Sequence, residues 1–242
     1  MTVLTFNNGV LFRTRNFKPD YRYTANFIDL WSVDEMVLLD ITRPGDGDRE
    51  NFYQVVNEFS KNCFVPITVG GGISSVEEIN NFLRMGADKV VINTHAHKNP
   101  AFIRESSRLF GSQCIVVSID AKLQLNNGYE ALISFGTEAT GSPPEEWARQ
   151  AEAHGAGEIL ITSIDKDGTL EGYDNELNRL VADAVDVPVL VCGGAGSWQH
   201  FVDGFTIGKA SAVCTTNIYH FTETSIKSAK SYLTQSEITV RI

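Results

Sequence analysis

The chain has 242 residues, 43% hydrophobic and 21% charged, with a formal net charge of −10. That length suits one large α/β domain, and the composition is that of an ordinary globular protein. The acidic balance excludes a broad nucleic-acid surface, which needs clustered Lys and Arg, but it leaves room for phosphate ligands held by backbone N–H groups and helix N-termini. No apolar run approaches the ~18 residues of a membrane span, and no leader pattern opens the sequence. Cys63, Cys114, Cys192 and Cys214 are scattered without a CxxC, as expected of free thiols in a reducing compartment. The expectation is a cytoplasmic enzyme with no nucleic-acid or membrane partner.

The first predicted element is VLTFNNG, from Val3, a short strand ending in a tight turn, and the first twelve residues carry no charged side chain. Further strands are expected over 36–40, 65–69, 89–92, 115–119, 158–162, 187–192 and 210–214. Between them, helical patterns cover 51–62, 75–85, 100–110, 144–154 and 176–184, with Glu77 and Glu78 in the first turn of the second. Asn126-Asn127-Gly128 marks a hairpin turn in the loop after the fifth strand. Strands alternating with helices imply parallel βα units.

The chain also repeats itself. VPITVGGGI from Val65 matches VPVLVCGGAG from Val187 at an offset of 122, and at the same offset Gly86 falls on Gly208 and Thr94 on Thr216. Two similar halves of four βα units predict a (β/α)8 TIM barrel as one domain over residues 1–242, with a doubly wound open sheet as the alternative.

Chemistry concentrates at the predicted strand ends. Gly70-Gly71-Gly72 and Gly193-Gly194 each close a strand before a helix, where glycine lets backbone N–H groups approach a phosphate. Each alone reads equally as a tight turn. Two in symmetric places, beside Asn93-Thr94 and Thr216-Asn217, predict a substrate phosphorylated at both ends. The fifth strand, VVSIDAK, ends on Asp120, the best single general acid–base candidate, although a carboxylate there can also cap a loop. SIDKDGT adds Asp165 and Asp167 after the sixth strand; it lacks the rest of a calcium loop. His95 and His97 have no third ligand at zinc spacing, and no nucleophile elbow, Walker loop or dinucleotide fingerprint occurs, so no metal and no cofactor is expected.

These segments resemble the cyclase subunit of imidazole glycerol phosphate synthase, the barrel half of a glutamine amidotransferase of histidine biosynthesis. The likeness is carried by LLDIT from Leu38, PITVGGGI from Pro66, GADKVVINT from Gly86, GSQCIVVSIDAK from Gly111, GAGEILITSIDKDGTLEGYD from Gly155 and CGGAG from Cys192. The resemblance implies a glutaminase partner docked at the barrel bottom and an ammonia path through the core. At the top, a lyase and cyclisation step acts on a substrate with two phosphates, aided by aspartates ending the first and fifth strands. It places phosphate binding at Gly72, Asn93, Thr94, Asp167, Gly168, Gly193, Gly194, Thr216 and Asn217. It also places a charged ammonia gate at Glu35, Lys89 and Glu158, with Asp88 facing the glutaminase, and Asp120 as the fifth-strand aspartate.

The departures cluster in the first βα unit. Thr5 stands where that family's other catalytic aspartate is expected, and a hydroxyl does not titrate near neutral pH. Arg13 replaces the lysine of a mobile first loop, keeping charge but not geometry. The stretch from Asn16 to Asp34 is short, the gate arginine has no counterpart, and FGTEATG from Phe135 lacks the expected basic residues. With the gate and phosphate positions kept, the pattern favours a divergent paralogue still fed by a glutaminase, similar to barrels that serve sugar amidination in surface-polysaccharide synthesis. The alternatives are an authentic cyclase and a non-catalytic phosphate-binding subunit that activates a glutaminase.

Overall fold

A computed structural model describes residues 1–22, 33–125, 128–215 and 226–241. The strands in chain order are β1 (Thr2–Asn7), β2 (Val10–Arg15), β3 (Lys18–Arg22), β4 (Met36–Asp40), β5 (Ile67–Gly70), β6 (Lys89–Ile92), β7 (Ile115–Leu123), β8 (Tyr129–Ile133), β9 (Glu138–Ala139), β10 (Glu158–Ser163), β11 (Val189–Cys192) and β12 (Ala212–Val213). The helices are α1 (Glu50–Asn62), α2 (Val76–Arg84), α3 (Thr94–Lys98), α4 (Pro100–Phe110), α5 (Pro144–Ala153), α6 (Asn175–Ala182), α7 (Trp198–Thr206) and α8 (Ile226–Gln235). Parallel pairing runs β1-β4-β5-β6-β7-β10-β11-β12. The ring closes where Thr2 bridges Thr215 in parallel, with Val3 N donating to Thr215 O at 2.9 Å. That closure makes the sheet a (β/α)8 barrel and rules out the doubly wound alternative.

Strand alternation builds two apolar layers. Val3, Val37, Val91, Val116, Leu160, Leu190 and Cys214 point inward and fill the barrel. The intervening residues, such as Leu4, Leu38, Val90 and Val117, point outward against helix side chains that include Phe52, Ile79 and Phe82. Burial of this sleeve dominates the stability of the fold. No described helix is long and apolar enough to cross a membrane.

The repeat is carried into the fold. Strands β5 and β11 are offset by 122 residues, as are helices α2 and α7, whose N-caps Ser75 and Ser197 accept from Glu78 N and His200 N. Both strands begin later than the apolar runs suggest, at Ile67 and Val189, because Pro66 and Pro188 cannot donate to the ladder. Their carbonyls still accept, from Met36 N and Ile159 N at 3.0 Å.

Each half also carries a hairpin on its first strand. Strands β1 and β2 join through Asn8 and Gly9, both at positive φ, the two-residue turn whose twist matches its strands. In the other half β7 runs on beyond the predicted 115–119 to pair with β8. The turn residues Asn126 and Asn127 lie outside the described residues, although Gln124 N donates to Gly128 O at 2.8 Å beside them.

Candidate functional site

The C-terminal ends of the barrel strands form a mouth, and Asp120 sits on its inner wall. Val116, Ser118 and Asp120 share the inward face of β7, two residues apart along the pleat. Asn93, following β6, donates through Nδ2 to Asp120 Oδ2 at 2.8 Å, and Ser118 Oγ lies 3.4 Å from Oδ1. Burial pushes the carboxyl up to about 7; the bonds from Ser118 and Asn93 restrain the rise, and the charge of Asp167 adds to it. A carboxyl that titrates near neutrality suits proton transfer in either direction.

Thr5 occupies the matching place on β1. As Asp120 pairs with Thr162 and Leu132, so Thr5 pairs with Leu39 and Phe12, at the root of its own hairpin. Its buried hydroxyl donates to Phe12 O at 2.5 Å, closing the hairpin. Arg13, on β2, pairs with Asp20 on β3, tying together the β2–β3 hairpin that continues the first.

The loop after β10 meets that hairpin. Asp167 is buried; Oδ1 accepts from Thr14 Oγ1 and Oδ2 from Phe17 N, each at 3.0 Å. Burial raises its carboxyl above the usual range, offset by the Phe17 N–H, the Thr14 hydroxyl and the nearby Arg13. Asn16 and Phe17 both take positive φ, and their bonds to this loop hold them there. Asp167 therefore anchors the hairpin across the mouth, and both its oxygens are engaged within the protein. It nonetheless lines a pocket with Gly168, Cys192, Gly193, Gly194 and Thr215, which brings four predicted phosphate positions together. The Cys192 thiol there is pushed well above its usual value, chiefly by burial.

The first-half glycine loop is closely filled by the protein itself, as is the second, where a Cβ on Gly194 would lie 2.1 Å from Gly172 O. A Cβ on Gly71 would lie 2.1 Å from Asp40 O, and one on Gly72 would lie 2.6 Å from Arg49 Nη1. Arg49 pairs with Glu78 at 3.1 Å and Asp40 at 3.7 Å. Thr94 Oγ1 accepts from Ser134 N at 2.9 Å, tying α3 to the loop between β8 and β9. Cations missing from FGTEATG itself reach it from elsewhere: Lys98 pairs with Glu138, and Arg43 lies over the Phe135 ring. Thr216 and Asn217 lie outside the described residues.

At the opposite end of the barrel, Lys89 Nζ bonds Glu158 Oε1 at 2.7 Å and Glu35 Oε2 at 3.1 Å. Burial pulls the lysine pKa down, but the two carboxylates more than offset it, so the net shift is upward. All three predicted gate residues are thus in one cluster. Asp88 is exposed beside them, its Oδ2 accepting from Ile67 N at 2.8 Å.

The family model for the histidine biosynthesis proteins matches residues 2–225. The chain belongs to that family. Its relatives include imidazole glycerol phosphate synthase subunit HisF of Methanosarcina acetivorans, 46% identical over 227 residues, which cover 87% of this chain and 83% of that protein. The HisF subunit of Methanosarcina mazei is 45% identical over the same length and coverage. The chain is a HisF-like barrel.

Within this HisF-like frame, the reading from sequence missed the residues that act across the fold. Ser118 lies two before Asp120 in VVSID, and strand alternation alone could have flagged it. Thr14, Asn16 and Phe17 gave no local signal, because their partners lie some 150 positions away, as in the Thr14–Asp167 separation of 153. Arg43 and Ser134 are likewise loop residues whose contacts only the closed barrel creates.

Proposed function

We propose that this chain is the ammonia-using subunit of a glutamine amidotransferase, acting at the barrel mouth on a phosphorylated acceptor with Asp120 as its acid–base group. The observation that carries the reading is the inward Asp120 carboxyl, pushed up to about 7 near a pocket lined by Gly168, Gly193 and Gly194. Ammonia attacks an electrophilic carbon of the acceptor. Asp120 takes the proton the new nitrogen sheds and returns it to the departing group, a role typically worth about 10²- to 10⁴-fold in rate. Kinship with HisF supports the lyase and cyclisation reaction of imidazole glycerol phosphate synthase.

The partner in this reading is a glutaminase on the barrel bottom. Support comes from the exposed Asp88 and from Phe64, 77% exposed in the loop after α1. The Lys89 cluster beside them is the gate through which ammonia enters the apolar core. Phosphate groups of the acceptor sit at Gly168, Gly193 and Gly194 on one side and at the Gly72 and Thr94 loops on the other.

A second reading is a paralogue redirected to another acceptor, such as a sugar amidinated for a surface polysaccharide. One observation favours it: the Thr5 hydroxyl is spent on the Phe12 carbonyl, so one of two symmetric strand ends has no titrating group. The test is to supply the purified chain with ammonium salts and the two-phosphate histidine-pathway substrate and follow substrate loss. Turnover abolished by Asp120→Asn supports the cyclase. Turnover seen only in Thr5→Asp supports the redirected barrel, and no turnover in either the parent or Thr5→Asp counts against the cyclase reading.

A further inference from the structure

The two oxygens of Asp120 are not equivalent. Oδ2 accepts from Asn93 Nδ2 at 2.8 Å, whereas Oδ1 faces Ser118 Oγ at 3.4 Å. An asparagine can turn either its amide nitrogen or its carbonyl oxygen towards a carboxyl, so something must choose. Thr94 makes the choice here. Its Oγ1 accepts the backbone N–H of Ser134 at 2.9 Å, which directs its own hydroxyl hydrogen to Asn93 Oδ1 at 3.4 Å. With Oδ1 of the amide accepting, Nδ2 is left to face Asp120. An oxygen already receiving an N–H along that line is a poor place for an acid proton, so neutral Asp120 carries its proton on Oδ1.

We infer that Asn93, steered by Thr94, is a positioning residue that reserves Oδ1 of Asp120 as the oxygen trading its proton with the substrate. The inference rests on Asp120 being the acid–base group of the reading above. It gives Asn93 a different task from the phosphate contact that family resemblance implies. It also connects the carboxyl, through Thr94 and Ser134, to the second hairpin. Among the described residues, the other titratable groups that face Asp120 are Asp167, in the loop after β10, and the Cys192 thiol at the end of β11. Both are unchanged in the variants below, so they serve as a constant background.

The titration that tests it needs no substrate. In the full chain with carboxyl-¹³C aspartate, the Asp120 resonance is assigned through Asp120→Asn and followed against pH, together with the Asn93 side-chain NH₂ signals. Both should titrate with one midpoint near 7. Asn93→Leu, and the shorter Asn93→Ser should the first fail to fold, should raise the Asp120 midpoint by about one unit, because a bond favouring the ionised form is lost. Thr94→Val should raise it by less. The inference is overturned if the Asn93 amide signals do not follow Asp120, or if the midpoint stays put when Asn93 is replaced. A shifted midpoint with turnover surviving Asp120→Asn would sink the acid–base reading and leave the Asn93–Thr94 arrangement standing.

Discussion

The two half-barrels use one frame for unequal ends. In each, the first strand carries an inward polar residue at the root of a hairpin: Thr5 beside Phe12 in the first half, Asp120 beside Leu132 in the second. Thr5 is satisfied locally, donating to the Phe12 carbonyl. Asp120 is held by neighbours that help its ionised form but do not fully repay burial, so its carboxyl sits near neutrality. Symmetry of backbone therefore does not impose symmetry of chemistry. One half contributes a quiet structural hydroxyl and a hairpin that crosses to Asp167; the other contributes a buried carboxyl that titrates near neutrality.

The largest expected break in that comparison is Asp120→Asn, which should lower ammonia-dependent turnover by about 10²- to 10⁴-fold in steady-state assays. The matching Thr5→Ala should lower it by less than tenfold, since that hydroxyl serves only the hairpin.

The same substitution should act oppositely on stability. Folded Asp120 keeps its proton up to about pH 7, whereas in the unfolded chain it releases it near 3.8. The folded state thus binds more protons between those values, and its stability falls as pH rises through that window. Asp120→Asn removes this penalty, so at pH 8 it should be more stable than the parent by about 2–4 kcal/mol in urea denaturation. The gap should narrow as the pH is lowered towards 4.

Glycine substitutions sharpen the comparison at the repeated loops. A Cβ at Gly71 would meet Asp40 O at 2.1 Å, and one at Gly193 would meet Ser163 O at 2.8 Å, with both residues at positive φ. Gly71→Ala should therefore cost about 3 kcal/mol and Gly193→Ala about 2 kcal/mol, read from unfolding midpoints. Equal costs would mean that backbone conformation, not contact, sets the demand for glycine.

The smallest effect is expected at the barrel bottom. Lys89→Met leaves Glu35 and Glu158 facing each other without the shared cation, but both are partly solvated, so the cost should be about 1 kcal/mol. Because folding raises the lysine pKa, this contribution is fully present below about 10.5 and is lost at higher pH. The difference between the two proteins should accordingly shrink in melts above that value.

Much of the frame was legible because it depends on short-range pattern. Apolar runs ending in glycine, capped helices and the 122-residue offset are local or periodic features, and they predicted strands, helices and a two-half barrel. Asp120 could be singled out because a carboxylate ending a barrel strand must face the mouth. Strand boundaries shifted where Pro66 and Pro188 withheld an N–H, and the first hairpin was seen only as a turn.

What the amino-acid sequence determined by itself was this alternation of elements, its repetition, and which residue types stand at the strand ends. Only the tertiary structure decided which of those residues act on one another. The bond from Thr5 to Phe12, the capture of Asp167 by Thr14 and Phe17, the Asn93–Asp120 pair and the Lys89 cluster all join separate segments. The physical reason is that a proton affinity depends on burial and on partners a few ångströms away. Barrel closure creates those surroundings; no stretch of the chain contains them.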